Sequence, residues 1–213
     1  MMRDKKSTGK VGRCGNVARS VWLLVLAAGC GGDPTGPKES SELLFLRQAT
    51  EAPPLATSDT TVVATRGEGL DLRIFYQPEP GENSGDQFLE LKLDQESLLQ
   101  YPPGHPRAGQ LFAAGDTIEI SVTIEPVDLI VTLEPSGIVF DPVHPAELEL
   151  RYVNSDPDFD DDGVDDPELE GEIDLWRQES LGDPWERVGT LTDQSLDRVR
   201  ATLLTFSRYA LAI

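Results

Sequence analysis

The sequence predicts an all-β chain folded as an antiparallel β-sandwich, immunoglobulin-like in its general architecture. Two observations carry this. The run Thr117-Ile118-Glu119-Ile120-Ser121-Val122-Thr123-Ile124-Glu125 alternates polar and apolar residues without a fault, which puts one face of an extended segment in a core and the other in water. Shorter runs of the same kind recur with proline and glycine between them, and helical periodicity is almost absent.

In chain order the expected strands are 60–65, 70–74, 89–93, 117–125, 129–133, 146–152, 173–175, 185–189, 199–204 and 209–213. Leu70-Asp71-Leu72-Arg73-Ile74, Leu89-Glu90-Leu91-Lys92-Leu93 and Ala146-Glu147-Leu148-Glu149-Leu150 repeat the alternation most clearly. Turn residues stand between them at Pro78-Glu79-Pro80-Gly81, Pro102-Pro103-Gly104, Gly115-Asp116, Pro135-Ser136-Gly137 and Gly182-Asp183-Pro184. One face of each sheet is expected to be apolar and the other acidic. A membrane barrel would need strands of about 9–11 residues with a lipid-facing band. The runs here are mostly shorter and are broken by proline.

The chain ahead of the strands reads differently. Residues 1–20 carry Arg3, Lys5, Lys6, Lys10, Arg13 and Arg19 against Asp4, and Val21 to Ala28 are uncharged and apolar. That core falls short of the roughly 20 residues of a membrane span and suits a secretory signal. Ala27, Ala28 and Gly29 then lead to Cys30, the arrangement of a bacterial lipoprotein signal. Residues 1–29 are therefore expected to be a lipoprotein signal peptide, with Cys30 the lipidated residue, carrying acyl chains such as palmitate. Residues 30–56 would form a tether with Leu43-Leu44-Phe45-Leu46 as an extra edge strand, and 57–213 the sandwich. Gly31 to Ser41 are Gly, Pro and polar types, the composition of a linker. The expected location is the cell envelope, membrane-bound through the lipid. Gly31 after the cysteine resembles the sorting pattern for an outer membrane where there are two.

The chain has two cysteines, and Cys14 lies in the expected leader, so no disulfide is expected in the exported part. Its 18 basic and 38 acidic side chains give a net charge of −20. Without the leader 12 and 37 remain, near −25. Such a field repels phosphates, which excludes nucleic acid as a partner and favours cations and basic proteins.

The segment Val131-Thr132-Leu133-Glu134-Pro135-Ser136-Gly137-Ile138-Val139-Phe140, followed by Pro145-Ala146-Glu147-Leu148, resembles the β-sandwich module found in zonula occludens protein, netrin receptors and ankyrins. The closing Leu204-Thr205-Phe206-Ser207-Arg208-Tyr209-Ala210-Leu211-Ala212 is similar to that module's final strand. The resemblance covers roughly 60–210 and implies a non-catalytic interaction module. The acidic stretch near 156–170 departs from the eukaryotic pattern, so no partner surface is carried over.

Chemistry concentrates in that acidic stretch. Asp158, Asp160, Asp162 and Gly163 form D-x-D-x-D-G, in which alternate carboxylates on a turning loop converge on one point. Calcium takes 6–8 oxygens at about 2.3–2.6 Å, and the Val164 carbonyl and Asp166 extend the set. The expected ligands are Asp158, Asp160, Asp162, Val164 and Asp166. The twelfth position counted from Asp158 is Leu169 rather than glutamate, and no helical pattern precedes the loop, so the expected site joins two strands and is not an EF-hand. The alternative is a bare, solvated acidic hairpin.

No catalytic set stands out, and no enzyme is expected. The two histidines, His105 and His144, sit beside prolines in turns, and there is no G-x-S-x-G, H-E-x-x-H or phosphate loop. Glu119 and Glu149 read as outward partners of strand alternation. The leading expectation is thus a lipid-anchored, extracytoplasmic interaction or structural module holding one calcium ion, with an envelope or extracellular protein as partner. Trp176 should point opposite to Leu175, which supports a second expectation, a carbohydrate-binding or carbohydrate-processing module using Trp176, Trp185 and surface carboxylates on a glycan.

Overall fold

The structure, a computed structural model, describes residues 36–213. The expected leader, Cys30 and Gly31 lie outside the described residues. Two antiparallel sheets pack face to face, an all-β sandwich. The strands are β1 (Asp59–Thr65), β2 (Leu70–Phe75), β3 (Gln87–Leu93), β4 (Leu98–Gln100), β5 (Thr117–Glu125), β6 (Ile130–Glu134), β7 (Val139–Phe140), β8 (Ala146–Arg151), β9 (Asp174–Gln178), β10 (Glu186–Arg187), β11 (Thr190–Asp193), β12 (Arg198–Leu203) and β13 (Arg208–Ala212). The first sheet runs β1-β5-β6-β13-β9-β10, the second β11-β12-β8-β3-β2, and β4 pairs with β7 beside them. Among the described residues no helix is long and apolar enough to cross a membrane.

Alternation sets which residues meet inside. On β5, Ile118, Ile120, Val122 and Ile124 are buried while Thr117, Glu119, Thr123 and Glu125 are exposed. They face Leu89 and Leu91 of β3 and Leu148 and Leu150 of β8 in one continuous core. Burying such a side chain contributes about 1.5–3 kcal/mol, so this layer dominates the stability of a domain with no disulfide among its described residues.

Both sheets depart from a simple apolar-in, acidic-out arrangement. The outer face of the second sheet carries basic and acidic residues in register, with Arg73 opposite Glu90, Glu90 opposite Glu149 and Glu149 opposite Arg200. The two glutamates are neighbours, and each is held by cations. Glu149 accepts from Arg200 Nη2 (2.6 Å) and Arg151 Nε (3.0 Å), and it is 3% exposed. It leaves the sheet outward, as its position in the alternation requires, yet it is buried beneath arginines. Burial alone would raise its carboxyl pKa. Arg200 and Arg151 outweigh that and hold it below the usual range. Glu90, gripped by Arg73 (2.7 Å) and Lys92 (2.6 Å), is likewise lowered against its own burial.

The outer face of the first sheet is apolar at one end. Leu175, Leu211 and Val131 enter the main core, so the adjacent Trp176, Ala210, Ala212 and Ile130 project from the other side. There they form a second cluster with Trp185, covered by Leu43 and Phe45. The chain from Lys38 to Ala49, expected as tether and edge strand, is the cover. Lys38 and Trp185 exchange backbone bonds (2.8 and 2.6 Å), as do Leu44 and Ile213 (3.3 and 3.1 Å), and the Leu46 amide donates to the Leu211 carbonyl (2.9 Å). Phe45 meets the Trp185 ring edge-on at 5.2 Å, Ser40 accepts from its indole N–H at 3.0 Å, and the Lys38 ammonium sits 4.9 Å from the Trp176 ring centre. Leu46 reaches the main core and is 1% exposed. The packed body therefore includes residues well before 57.

Candidate metal centre

The strand β8 ends at Arg151 in the second sheet and β9 begins at Asp174 in the first, so the acidic stretch is the crossing between layers. Its ends are fixed. Tyr152 is buried and its hydroxyl donates to Glu170 (3.1 Å), while the Ser155 amide and hydroxyl both donate to the Tyr152 carbonyl (2.9 and 2.6 Å). Between these points Asp161 and Gly163 adopt positive φ (60° and 90°) and the chain folds back on itself. Gly163 has open space around it, so its role is conformational.

The turn brings Asp158, Asp160 and Asp166 together, each with a carboxylate oxygen within 4.8 Å of the others. Oxygens bound to one calcium at 2.3–2.6 Å lie at most about 5.2 Å apart, so the spacing suits such an ion. Backbone amides already orient the group. The Asp166 carboxylate accepts from Phe159 (2.9 Å) and Asp160 (3.3 Å), and Asp158 accepts from Asp162 (3.0 Å) and Gly163 (2.8 Å). Asp166 is buried, Asp158 half-buried and Asp160 exposed. The Asp160 carboxyl is raised above its usual range, first by partial desolvation and then by Asp162, with smaller contributions from Asp166 and Asp158; the Asp162 amide opposes this.

The grouped carboxylates include three of the five expected ligands. Asp162 is outside the three-carboxylate group, and its carboxylate accepts the Val164 amide at 2.9 Å. The Val164 side chain is exposed. Arg47, which the sequence did not single out, binds the loop from the covering segment, with Nη1 at 2.5 Å from Asp161 and Nε at 3.5 Å from Asp128. Backbone bonds from Asp156 to Arg47 (2.8 Å) and from Ala49 to Asn154 (3.0 Å) make the same connection.

Trp176 does project opposite to Leu175, but it is 3% exposed and Trp185 is 1% exposed. Neither ring is open to stack on a sugar, because the covering segment already occupies that face. His105 stacks on Tyr101 (4.4 Å), and its Nδ1 accepts the Arg107 amide (3.1 Å). His144 lies between Asp94 (3.2 Å) and Glu96 (3.1 Å). The His105 bond stays within its own turn, whereas His144 reaches across to the turn at 94–97. The chain matches no protein-family model, no curated protein and no solved structure.

Proposed function

We propose that this protein is a lipid-anchored, extracytoplasmic β-sandwich acting as an interaction or structural module, and that its 156–168 loop holds one calcium ion. The observation that supports the ion is the convergence of Asp158, Asp160 and Asp166, none of which has a salt bridge among the described residues, where Arg47 pairs with Asp161 instead. A divalent cation would offset the partial desolvation and the repulsion from Asp162 that together raise the Asp160 carboxyl. Asp162 and the Val164 carbonyl would add further oxygens to the set. The likeness of 131–140 and 204–212 to the module of zonula occludens protein, netrin receptors and ankyrins supports a non-catalytic role, and both segments contribute strands.

The test is a melting curve in millimolar calcium and in chelator. Calcium at 100 times its Kd stabilises by about 2.7 kcal/mol, or about 5–11 °C for a domain of this size. Asp160→Ala with Asp166→Ala should erase that shift. A wild-type curve indifferent to calcium would remove the ion from the proposal, and an intact mass lacking fatty acid at Cys30 would remove the anchor.

A further inference from the structure

The four edges of the two sheets are managed differently. The edge strand β10 is two residues long and flanked by Lys38, and β11 has four residues. On β2 the register shifts at Ile74/Phe75, and the Ala56 amide covers the Phe75 carbonyl at 2.8 Å. By contrast β1 runs seven residues, Asp-Thr-Thr-Val-Val-Ala-Thr, in unbroken register with β5, and contains no proline, lysine or bulge. Those are the devices that usually keep an edge from pairing.

Register fixes which backbone groups of β1 face outward. The Ile124 amide donates to the Ser58 carbonyl (2.8 Å), so residues 58, 60, 62 and 64 bond to β5, and the amides and carbonyls of 59, 61, 63 and 65 point away. The Thr57 hydroxyl donates to the Asp59 carbonyl, and the Glu68 amide donates to that of Thr65. Thr61 and Val63 keep both backbone groups without a partner among the described residues, and the Val63 side chain is 61% exposed.

We propose that β1 is a docking edge for a second copy of this chain, the two β1 strands pairing antiparallel about a two-fold axis at Val62. Thr61 of each copy then faces Val63 of the other, and the four residues exchange four amide bonds, with 59 opposite 65 beyond them. Charge selects this arrangement. Asp59 and Arg66 stand at opposite ends of the edge, and neither has a salt bridge among the described residues. Among the described residues the Asp59 carboxylate accepts only the Thr123 hydroxyl (2.9 Å), and the Arg66 guanidinium reaches only the Gln95 carbonyl (3.5 Å). Antiparallel self-pairing brings the acid of one copy to the arginine of the other at both rims, whereas parallel pairing would set acid beside acid. The contact is self-complementary, as a closed dimer requires. An edge this short buries less than the roughly 1,000 Å² of a permanent interface, so the dimer is concentration-dependent.

Two variants of the full chain test the register, Thr61→Cys and Val63→Cys, each with Cys14→Ser and Cys30→Ser. Directly opposed residues lie about 5.5 Å apart between Cα atoms, within disulfide range, while the diagonal 61–61 and 63–63 pairs are at about 7–8 Å. Oxidation near physiological ionic strength, where the Debye length of about 8 Å screens the overall negative charge, should give several-fold more disulfide dimer from the mixture than from either variant alone. Equal yields overturn the proposal. Sedimentation of the native chain should show mass rising towards twice the monomer with concentration. Val63→Pro, which removes an outward amide and leaves the β5 bonds intact, should stay monomeric with an unchanged near-UV circular dichroism spectrum. A dimer that persists in Val63→Pro, or a native chain that stays monomeric throughout, also overturns it.

Discussion

Replacing Leu46 by alanine asks whether the segment ahead of residue 57 is tether or body. Leu46 is 1% exposed, joins the main core, and its amide is bonded to Leu211. Leucine-to-alanine changes at such sites cost about 2–5 kcal/mol, the transfer of the lost methyls plus the cavity left behind. Because the site lies on a covering segment that can partly settle inward, we expect about 3 kcal/mol. In a domain of this size that lowers Tm by about 6–12 °C. Leu44, two residues earlier, is 41% exposed. Leu44→Ala should therefore fall within about 0.5 kcal/mol of the parent. Urea unfolding of the two variants and the parent gives both numbers. If both midpoints match the parent, the segment contributes nothing to the core and the argument for a body that starts near Lys38 fails.

Glu149→Gln should cost about 2–3 kcal/mol in the same assay, less than the 3–5 of a fully buried pair because Arg151, Arg198 and Arg200 remain partly in water; a loss below about 0.5 kcal/mol would mean that the buried carboxylate is uncharged or unimportant. Glu149 and Glu90 have lowered carboxyl pKa values, so the stability they contribute is complete above their unfolded pKa of about 4.3 and is lost as pH falls through the folded values. Urea midpoints should fall in that acid window, and Glu149→Gln should flatten the fall. Asp160 is shifted the opposite way, so in chelator Asp160→Asn should raise the melting temperature slightly at neutral pH, whereas a drop would show that its charge is stabilising. Emission from Trp176 and Trp185 should be blue-shifted and poorly quenched by acrylamide, and Phe45→Ala should red-shift it; emission already red in the parent would place those rings in water.

The parts of the fold legible in the sequence are those whose signal is local. The nine-residue alternation of β5 corresponds to the strand observed, and β1, β2, β3, β8, β12 and β13 match within a few residues, because period-two patterning is written in neighbouring side chains. The strands β4, β7 and β11 were not anticipated. The first two have three and two residues, too few for alternation to register, and they exist through pairing with each other. Residues up to Ser41 read as linker because Gly, Pro and polar residues dominate there, and Leu43-Leu44-Phe45-Leu46 reads as an extra edge strand. What holds them is an apolar patch assembled from β6, β9 and β13, and nothing near 40 in the sequence announces it. Direction was legible for Trp176 and exposure was not, for the same reason. In the acidic loop the D-x-D-x-D-G spacing located the turn and two of its converging carboxylates. The third, Asp166, was among the expected ligands, and its place beside Asp158 and Asp160 depends on the fold-back at Asp161 and Gly163.

The covering segment also determines how the domain bears load from its N-terminal side. Tension on Lys38 falls on its two bonds to Trp185 before it reaches Leu44 and Leu46, so the bonds are met a few at a time, like the teeth of a zip, instead of together in shear. Peeling to that depth would free the indoles of Trp176 and Trp185 while the two sheets stay clasped. Further along, Arg47 and its backbone neighbours are joined to the Asp156–Asp161 turn, so a pull that travels this far next strains the loop that gathers the carboxylates.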